Sequence, residues 1–320
     1  MQTKGMDGMR TPLVLVPGVF GSMSDVILPG TGGWSFGLAG DIYEPFLELF
    51  KRIGYVRDRD LFIAYYDWRQ RISFSAYTYL APMIQEAKLK TGADQVNLVC
   101  HSMGGLVARA YVQSGYYRND VDQLIMLGTP NAGSPVNYCY WMGGTLEYNA
   151  ASPHNAVSLA MYEYLHYVSR GCPGNPIAAI RAAFPSLVEV VPSCQYGDYL
   201  LVNGHASMRL IPYPLMPIQN DFLHELDAYA CLIFRRHIRV TIIAGIGSRT
   251  AQYLHTADSS DNKIEKSAIW STVNSDAGDG NVMVHSALAL EGEKHVIAAD
   301  HVQLLLRSAP LLVERLALPL

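Results

Sequence analysis

The feature that most constrains the fold is an alternation of short apolar runs with segments of helical length. Leu13–Val16 is a continuous apolar run ending at Pro17 and Gly18, as expected of a strand buried inside a parallel sheet. Apolar residues then recur at helical spacing over 42–52. The pattern repeats, with further strands predicted at 61–66, 96–100, 124–127 and 240–244, and helices at 76–90 and 106–113. This order predicts an α/β fold with a mostly parallel sheet flanked by helices.

The alternation stops between about 131 and 236, where the chain is rich in Tyr, Met, Gly and Pro without clear strand periodicity. A polar stretch at 248–274 follows the next predicted strand. We therefore predict a core at 11–135 and 237–320, with a cap insertion at 136–236 over the carboxyl edge of the sheet. The aromatic and apolar residues expected in the cap include Tyr138, Tyr140, Trp141, Met142, Tyr148, Met161, Tyr162, Tyr164, Tyr167, Met208, Met216 and Phe222.

Composition excludes several classes of protein. Half of the residues are hydrophobic and 16% are charged, which permits a large core and excludes wholesale disorder. Acidic residues outnumber basic ones by 28 to 24, for a net charge of −4, and no Lys/Arg run is present. This balance argues against a nucleic-acid partner. No apolar run has the length of a membrane-spanning helix, and residues 1–10 lack the apolar region of a secretory signal. We therefore expect a cytoplasmic protein.

Cysteine and glycine spacing predicts neither a metal nor a cofactor. The five cysteines form no CxxC pair, so we expect reduced thiols, with a bond between Cys172 and Cys194 left open. Gly245-Ile246-Gly247 lacks the third glycine of a dinucleotide-binding motif, and no P-loop is present. His224-Glu225 has no second histidine four positions after His224, which excludes a zinc-protease helix.

The strongest chemical motif lies at Leu98–Leu106, where a strand runs into a tight turn holding Ser102 and then into a helix. This pattern is typical of a nucleophile elbow, in which a strained turn exposes the serine at the carboxyl end of a strand. Small residues are needed two positions before and two after the serine. Gly104 satisfies the second position, and Cys100 stands where the common pattern has glycine. The alternative is an ordinary turn in which the serine caps the helix.

A serine hydroxyl needs a base oriented by a carboxylate, and in this architecture the order is serine, acid, histidine. Asp279 lies between two glycines in a loop that can present a carboxylate, with Asp276 as the rival. His301 lies at the start of an amphipathic helix and is the first candidate for the base. His295 and His285 are its rivals.

Two backbone amides are needed to stabilise the oxyanion of an acyl-transfer reaction. Met103, the residue after the serine, supplies one of them. The glycine-containing loop Val16–Ser22 after the first strand is expected to supply the other, through Val19.

Five segments together resemble the lecithin:cholesterol acyltransferase and lysosomal phospholipase A2 group. They are the elbow Leu98–Leu106, the loop Val16–Ser22, Tyr66–Arg69, Leu127–Pro135 and Gly278–Gly280. The elbow alone is common to α/β-hydrolases, whereas the Asp-Trp-Arg and Gly-Asp-Gly segments indicate the narrower group.

This resemblance implies an α/β-hydrolase fold, with Ser102 as nucleophile, Asp279 as acid, His301 as base, and Val19 and Met103 as oxyanion donors. The substrate and the acyl acceptor do not carry over from the resemblance. From the motifs and the apolar cap, we expect a lipase- or esterase-like serine carboxylester hydrolase that acts on an ester or lipid substrate, and transient contact with a membrane or lipid interface is left open. The alternatives are acyl transfer to an alcohol and a non-catalytic lipid-binding module. The oligomeric state is not predicted.

Overall fold

The structure, a computed structural model of the chain, describes residues 10–142, 145–146, 156–171, 174–203, 208–256 and 269–316. Its strands are β1 (Leu13–Val16), β2 (Leu61–Ile63), β3 (Val96–His101), β4 (Val121–Leu127), β5 (Thr145–Leu146), β6 (Leu200–Asn203), β7 (Met208–Ile211), β8 (Arg239–Ile246), β9 (Thr250–Thr256), β10 (Ile269–Ser275) and β11 (Glu293–Ala298). Its α-helices are α1 (Gly40–Arg52), α2 (Ile72–Ser75), α3 (Ala81–Thr91), α4 (Met103–Val112), α5 (Pro135–Trp141), α6 (Ala156–Arg170), α7 (Pro176–Ala183), α8 (Asp221–Ala228), α9 (Cys231–Arg235), α10 (Val284–Ala287), α11 (Gln303–Arg307) and α12 (Ala309–Leu316).

The first sheet has six strands in the order β11-β8-β4-β3-β1-β2, and all of its pairings are parallel. The predicted α/β class with a mostly parallel sheet is therefore confirmed. β1 and β3 lie inside the sheet, and every residue of both strands is buried. Their continuous apolar sequence follows from this position, because both faces of each strand are covered.

Successive residues of β1 point to opposite faces of the sheet, so the chain builds a core on each side. Val14 packs in a cluster that includes Leu106 of α4. Leu13 packs in a second cluster with Phe46 of α1 and Leu312 of α12. Helices therefore cover both faces of the first sheet, as predicted.

A second sheet of five strands, in the order β5-β10-β9-β6-β7, was not predicted. β9 and β10 form an antiparallel pair within the stretch that the sequence marks only as polar, and β6 runs parallel to β9. The second sheet thus takes strands from both sides of the predicted boundary at residue 236. The domain limits 11–135, 136–236 and 237–320 remain predictions.

The predicted helix at 76–90 begins as a π-helical turn over Ala76–Leu80 and continues as α3. Across the described residues, no helix combines the length and the apolar character that crossing a lipid bilayer requires.

Candidate active site

Ser102 lies in the turn between β3 and α4, with φ 54° and ψ −130°. A positive φ is rare for a residue with a side chain and indicates local strain held by the surrounding structure. The serine N–H donates to the carbonyl of Leu127, 2.9 Å away on β4, and its carbonyl accepts from Gly105. The turn is thus fixed at the carboxyl edge of the sheet, with a partly exposed hydroxyl.

The small residues around Ser102 are required by close packing. A Cβ at position 104 would lie 2.6 Å from the carbonyl oxygen of Pro17, so α4 approaches the end of β1 at the backbone level. Cys100, which stands where glycine is common, is fully buried inside β3. Burial raises the pKa of its thiol well above the usual range, so it acts as a small apolar residue.

The structure brings Ser102, His301 and Asp279 into one hydrogen-bonded chain. His301 Nε2 lies 2.9 Å from Ser102 Oγ, and His301 Nδ1 lies 2.7 Å from Asp279 Oδ2. Asp279 and His301 are buried, at 1% and 4% exposure. The serine and the histidine are 199 positions apart in the sequence, so only the tertiary fold assembles the chain.

Backbone contacts fix the orientation of Asp279. Its Oδ1 accepts from the amides of Asn281 at 2.9 Å and Val282 at 2.7 Å, which leaves Oδ2 directed at His301. The carbonyl of Asp279 also accepts from the N–H of His301 at 2.8 Å. The acid and the histidine are therefore held together by both side chain and backbone.

The rival residues lie elsewhere. Asp276 is exposed three residues before Asp279. His295 lies on β11, where its Nε2 pairs with Glu293 at 2.9 Å. His285 is exposed on α10, with its ring against Tyr196.

The two predicted oxyanion donors, Val19 and Met103, both line the cavity that contains Ser102. A Cβ on Gly18 would lie 2.8 Å from Ser102 Cβ, so the loop of Val19 passes directly beside the serine. Met103 is the first residue of α4, where the helix offers its amide no internal acceptor. Among the described residues, neither amide donates to a backbone or side-chain acceptor.

The cavity beside Ser102 is mostly apolar. Its space is about 700 Å³, which includes the open mouth. Of the described residues that line it, none is Asp, Glu, Lys or Arg. The predicted insertion contributes Val136, Tyr140, Met161, Phe184, Leu187 and Val190 to this wall.

Only part of the expected aromatic set faces the cavity. Tyr140 and Met161 line it, whereas Tyr167 and Met208 are exposed. Tyr148 lies outside the described residues, as does Cys172, whose bond with Cys194 stays an open prediction.

The Asp67-Trp68-Arg69 segment joins two walls of the site. Arg69 pairs with both oxygens of Asp67 at 2.8 Å. The indole Nε1 of Trp68 donates to the carbonyl of Ser22, at the end of the predicted oxyanion loop. The carbonyls of Trp68 and Arg69 accept from Ser186 in the cavity wall. The segment thus fixes the loop and the wall relative to each other, consistent with a structural part.

Two buried polar residues near Ser102 were given no part by the sequence analysis. His101 directly precedes the serine, and its ring centroid is 4.8 Å from that of His301. Tyr43 lies on the buried face of α1, and its hydroxyl oxygen is 2.8 Å from His101 Nδ1. Adjacency to the serine is the only sequence signal for His101, and Tyr43 resembles any core residue of an amphipathic helix.

No group of three or more His, Cys, Asp or Glu side chains with metal-binding geometry occurs in the described part of the chain.

Comparison with known proteins gives a family match over part of the chain and a structural likeness to a lipase. The model of the lecithin:cholesterol acyltransferase family matches residues 36–157, a range that includes Ser102 but neither Asp279 nor His301. The mature lipase BlEst2 of Bacillus licheniformis aligns with a TM-score of 0.50 at 15% identity, over 99% of this chain and 96% of that one. Its propeptide form gives 0.52 at 16% identity, over 100% and 53%. A search of curated proteins finds no match.

Proposed function

We propose that this chain, an α/β-hydrolase that resembles the lecithin:cholesterol acyltransferase family, is a serine carboxylester hydrolase of the lipase or esterase type. The observation that carries the proposal is the hydrogen-bonded chain Ser102–His301–Asp279, with distances of 2.9 and 2.7 Å. A histidine between a serine on a strained turn and a buried carboxylate is the arrangement that activates a hydroxyl for attack on a carbonyl.

Under this proposal, the hydrogen bonds of His301 indicate which of its ring nitrogens carries the proton. An ionised Asp279 can only accept, so His301 carries its proton on Nδ1 and presents Nε2 as an acceptor to the hydroxyl of Ser102. As Ser102 Oγ attacks the ester carbonyl, its proton moves to Nε2 and the resulting imidazolium is stabilised by Asp279. His301 then gives that proton to the departing alcohol, which leaves an acyl group on Ser102.

Deacylation repeats the same steps with water as the nucleophile. His301 takes a proton from water, the hydroxide adds to the acyl carbonyl, and Ser102 leaves with the proton returned by His301. In both steps the amides of Val19 and Met103 would stabilise the tetrahedral oxyanion. One such donor typically contributes about 10²–10³ in rate.

The lining of the cavity supports an uncharged acyl group as the substrate part bound beside Ser102. A wall of Val136, Met161, Phe184 and Leu187 removes apolar surface from water and offers no partner to a charge. We propose that residues 136–236 act as the cap that encloses the acyl chain of the substrate. The substrate class is therefore an acyl ester with an apolar acyl chain, including lipid esters.

Acyl transfer to an alcohol is the second candidate, and the family match at residues 36–157 favours it. Hydrolysis and transfer share the acyl-enzyme and differ in whether water or an alcohol accepts the acyl group. Measuring free acid and new ester from one substrate at a fixed alcohol concentration separates the two.

Substitution of the proposed nucleophile, Ser102, tests the proposed function. We expect Ser102→Ala to fold normally and to lower turnover of a p-nitrophenyl ester by on the order of 10⁶, with no burst of p-nitrophenol. Ser114→Ala, just beyond the end of the same helix, is the matched control and should retain wild-type turnover. A folded Ser102→Ala protein that keeps more than a few per cent of the activity would show that another nucleophile is responsible.

A further inference from the structure

A second hydrogen-bonded chain lies directly behind the proposed catalytic residues. The N–H of Gly18 lies 2.8 Å from the hydroxyl oxygen of Tyr43, and that hydroxyl lies 2.8 Å from Nδ1 of His101. Nε2 of His101 lies 3.0 Å from the carbonyl oxygen of His301. Tyr43 and His101 are both buried, at 3% and 5% exposure, so water does not compete for these bonds.

The two ends of this chain fix the direction of every hydrogen bond in it. The amide of Gly18 can only donate, and the carbonyl of His301 can only accept. His101 must therefore carry its proton on Nε2 and donate to His301. Its Nδ1 then accepts from the hydroxyl of Tyr43, which accepts from Gly18. Each donor and acceptor has one partner, and no alternative arrangement satisfies all of them.

The same pairing of donors with acceptors requires that the ring of His101 be neutral. A protonated ring would direct two N–H groups outward, and the Tyr43 hydroxyl would face donors on two sides with no acceptor for its own proton. Burial, followed by the neighbouring His301, lowers the pKa of His101 to about 3. Burial likewise raises the pKa of Tyr43. Both groups thus stay uncharged at neutral pH.

This chain of hydrogen bonds connects two parts of the site whose positions relative to Ser102 must stay fixed. At one end, Gly18 precedes Val19 and packs against Ser102, with a Cβ on Gly18 reaching 2.8 Å from that of the serine. At the other end, the backbone of His301 is held on both sides, because its N–H donates to Asp279 and its carbonyl accepts from His101.

We propose that Tyr43 and His101 are positioning residues that set the loop of Val19 and the backbone of His301 relative to Ser102. The inference rests on the proposed function, since it assigns these contacts a part in ester turnover. A shift of about 1 Å in a reacting group can cost on the order of 10²-fold in rate without any loss of substrate binding. Removing the Tyr43 hydroxyl is therefore expected to lower kcat and to leave KM nearly unchanged.

The test compares Tyr43→Phe and His101→Gln, singly and together, by steady-state turnover of a p-nitrophenyl ester. The concentration of folded protein, measured by circular dichroism, gives the number of sites, so kcat per site separates positioning from loss of folded protein. We expect each single variant to lose between about ten- and a hundred-fold in kcat per site, with KM within about three-fold. The double variant should lose no more than the more impaired single variant, because both substitutions break one chain.

Tyr55→Phe is the matched control. Tyr55 is a buried tyrosine of the same core cluster as Tyr43, and its hydroxyl donates to the carbonyl of Thr11, far from Ser102. We expect this variant to have a lower melting temperature and an unchanged kcat per site. If Tyr43→Phe behaves like Tyr55→Phe, the chain only stabilises the core and the proposal is wrong.

A measurement without substrate tests the geometry separately. In ¹⁵N-histidine spectra of the wild-type protein, His101 should be neutral at pH 5 with its proton on Nε2, and Tyr43→Phe should shift its Nδ1 resonance. A proton on Nδ1 would overturn the inferred chain. Absence of any p-nitrophenyl ester turnover in the wild-type protein would instead contradict the proposed function, and the positioning proposal would fall with it.

Discussion

Replacing Asp279 by asparagine exchanges one carboxylate oxygen for an NH₂ group. This change is expected to move the proton of His301 from Nδ1 to Nε2. In the structure, Oδ1 of Asp279 accepts from two backbone amides, those of Asn281 and Val282, and Oδ2 accepts from His301 Nδ1. An asparagine must keep its oxygen toward the two amides. Turning its NH₂ group toward them would leave two buried donors without acceptors, at about 1–3 kcal/mol each.

The NH₂ group of the asparagine therefore faces His301 Nδ1 and can only donate to it. His301 must then carry its proton on Nε2, which is directed at Ser102 Oγ. A ring in this tautomer cannot accept the serine proton. The expected loss in kcat is on the order of 10⁴-fold, the size of effect known for the wrong tautomer in such a triad, or about 5.5 kcal/mol in the barrier.

The assay is turnover of a p-nitrophenyl ester at pH 7, with kcat referred to the concentration of folded protein. Asp276→Asn is the control, because it makes the same chemical change at an exposed aspartate. It should leave kcat within about two-fold. An Asp279→Asn protein with more than a tenth of the wild-type kcat would refute the reasoning, and loss at Asp276 instead would move the acid to that residue.

Two further outcomes are expected. For p-nitrophenyl esters, kcat/KM should rise from acetate to medium acyl chains. Each methylene buried against the apolar wall contributes up to about 0.8 kcal/mol of binding free energy, or about four-fold in kcat/KM. An enzyme that prefers acetate and ignores chains of about eight carbons would contradict the apolar acyl subsite. Asp227→Ala should lower the free energy of unfolding by about 3–5 kcal/mol in urea titrations, because it leaves the fully buried Arg109 without its ion-pair partner at 3.0 Å. Asp122→Ala, which removes an exposed pair with Arg239, should cost under about 1 kcal/mol, and equal losses would show that burial does not decide the cost.

The sequence predicts the first sheet well because its strands are buried on both faces. β1 and β3 read as unbroken apolar runs, and their order with the intervening helices leaves little choice of topology. The second sheet leaves no such trace. In β9, Leu254 is fully buried while Gln252 and Tyr253 are partly exposed, and the partner β6 lies far earlier in the chain. Local periodicity does not encode a pairing of that kind.

A similar contrast holds within the candidate site. The elbow of Ser102 and the glycine-flanked Asp279 are local motifs, so the amino-acid sequence alone is enough to identify both as candidates. Tyr43 touches His101 across 58 positions, and its spacing on α1 indicates only a buried helix face. Residues that act through a contact of high sequence separation carry no local pattern, so only the tertiary structure reveals them.

The 199 positions between Ser102 and His301 also affect the order of events during synthesis. The elbow of Ser102 needs only β3, α4 and the Leu127 carbonyl of β4, but the proposed base, His301, follows β11, at the far edge of the first sheet. β8 and β11 must add to the sheet beside β4 before an imidazole can reach the serine hydroxyl, and such non-local pairings form slowly. A growing chain that has not yet made β11 and His301 therefore holds a serine without its proposed base. Under the proposed function, the growing polypeptide has no esterase activity until all six strands of the first sheet have been made.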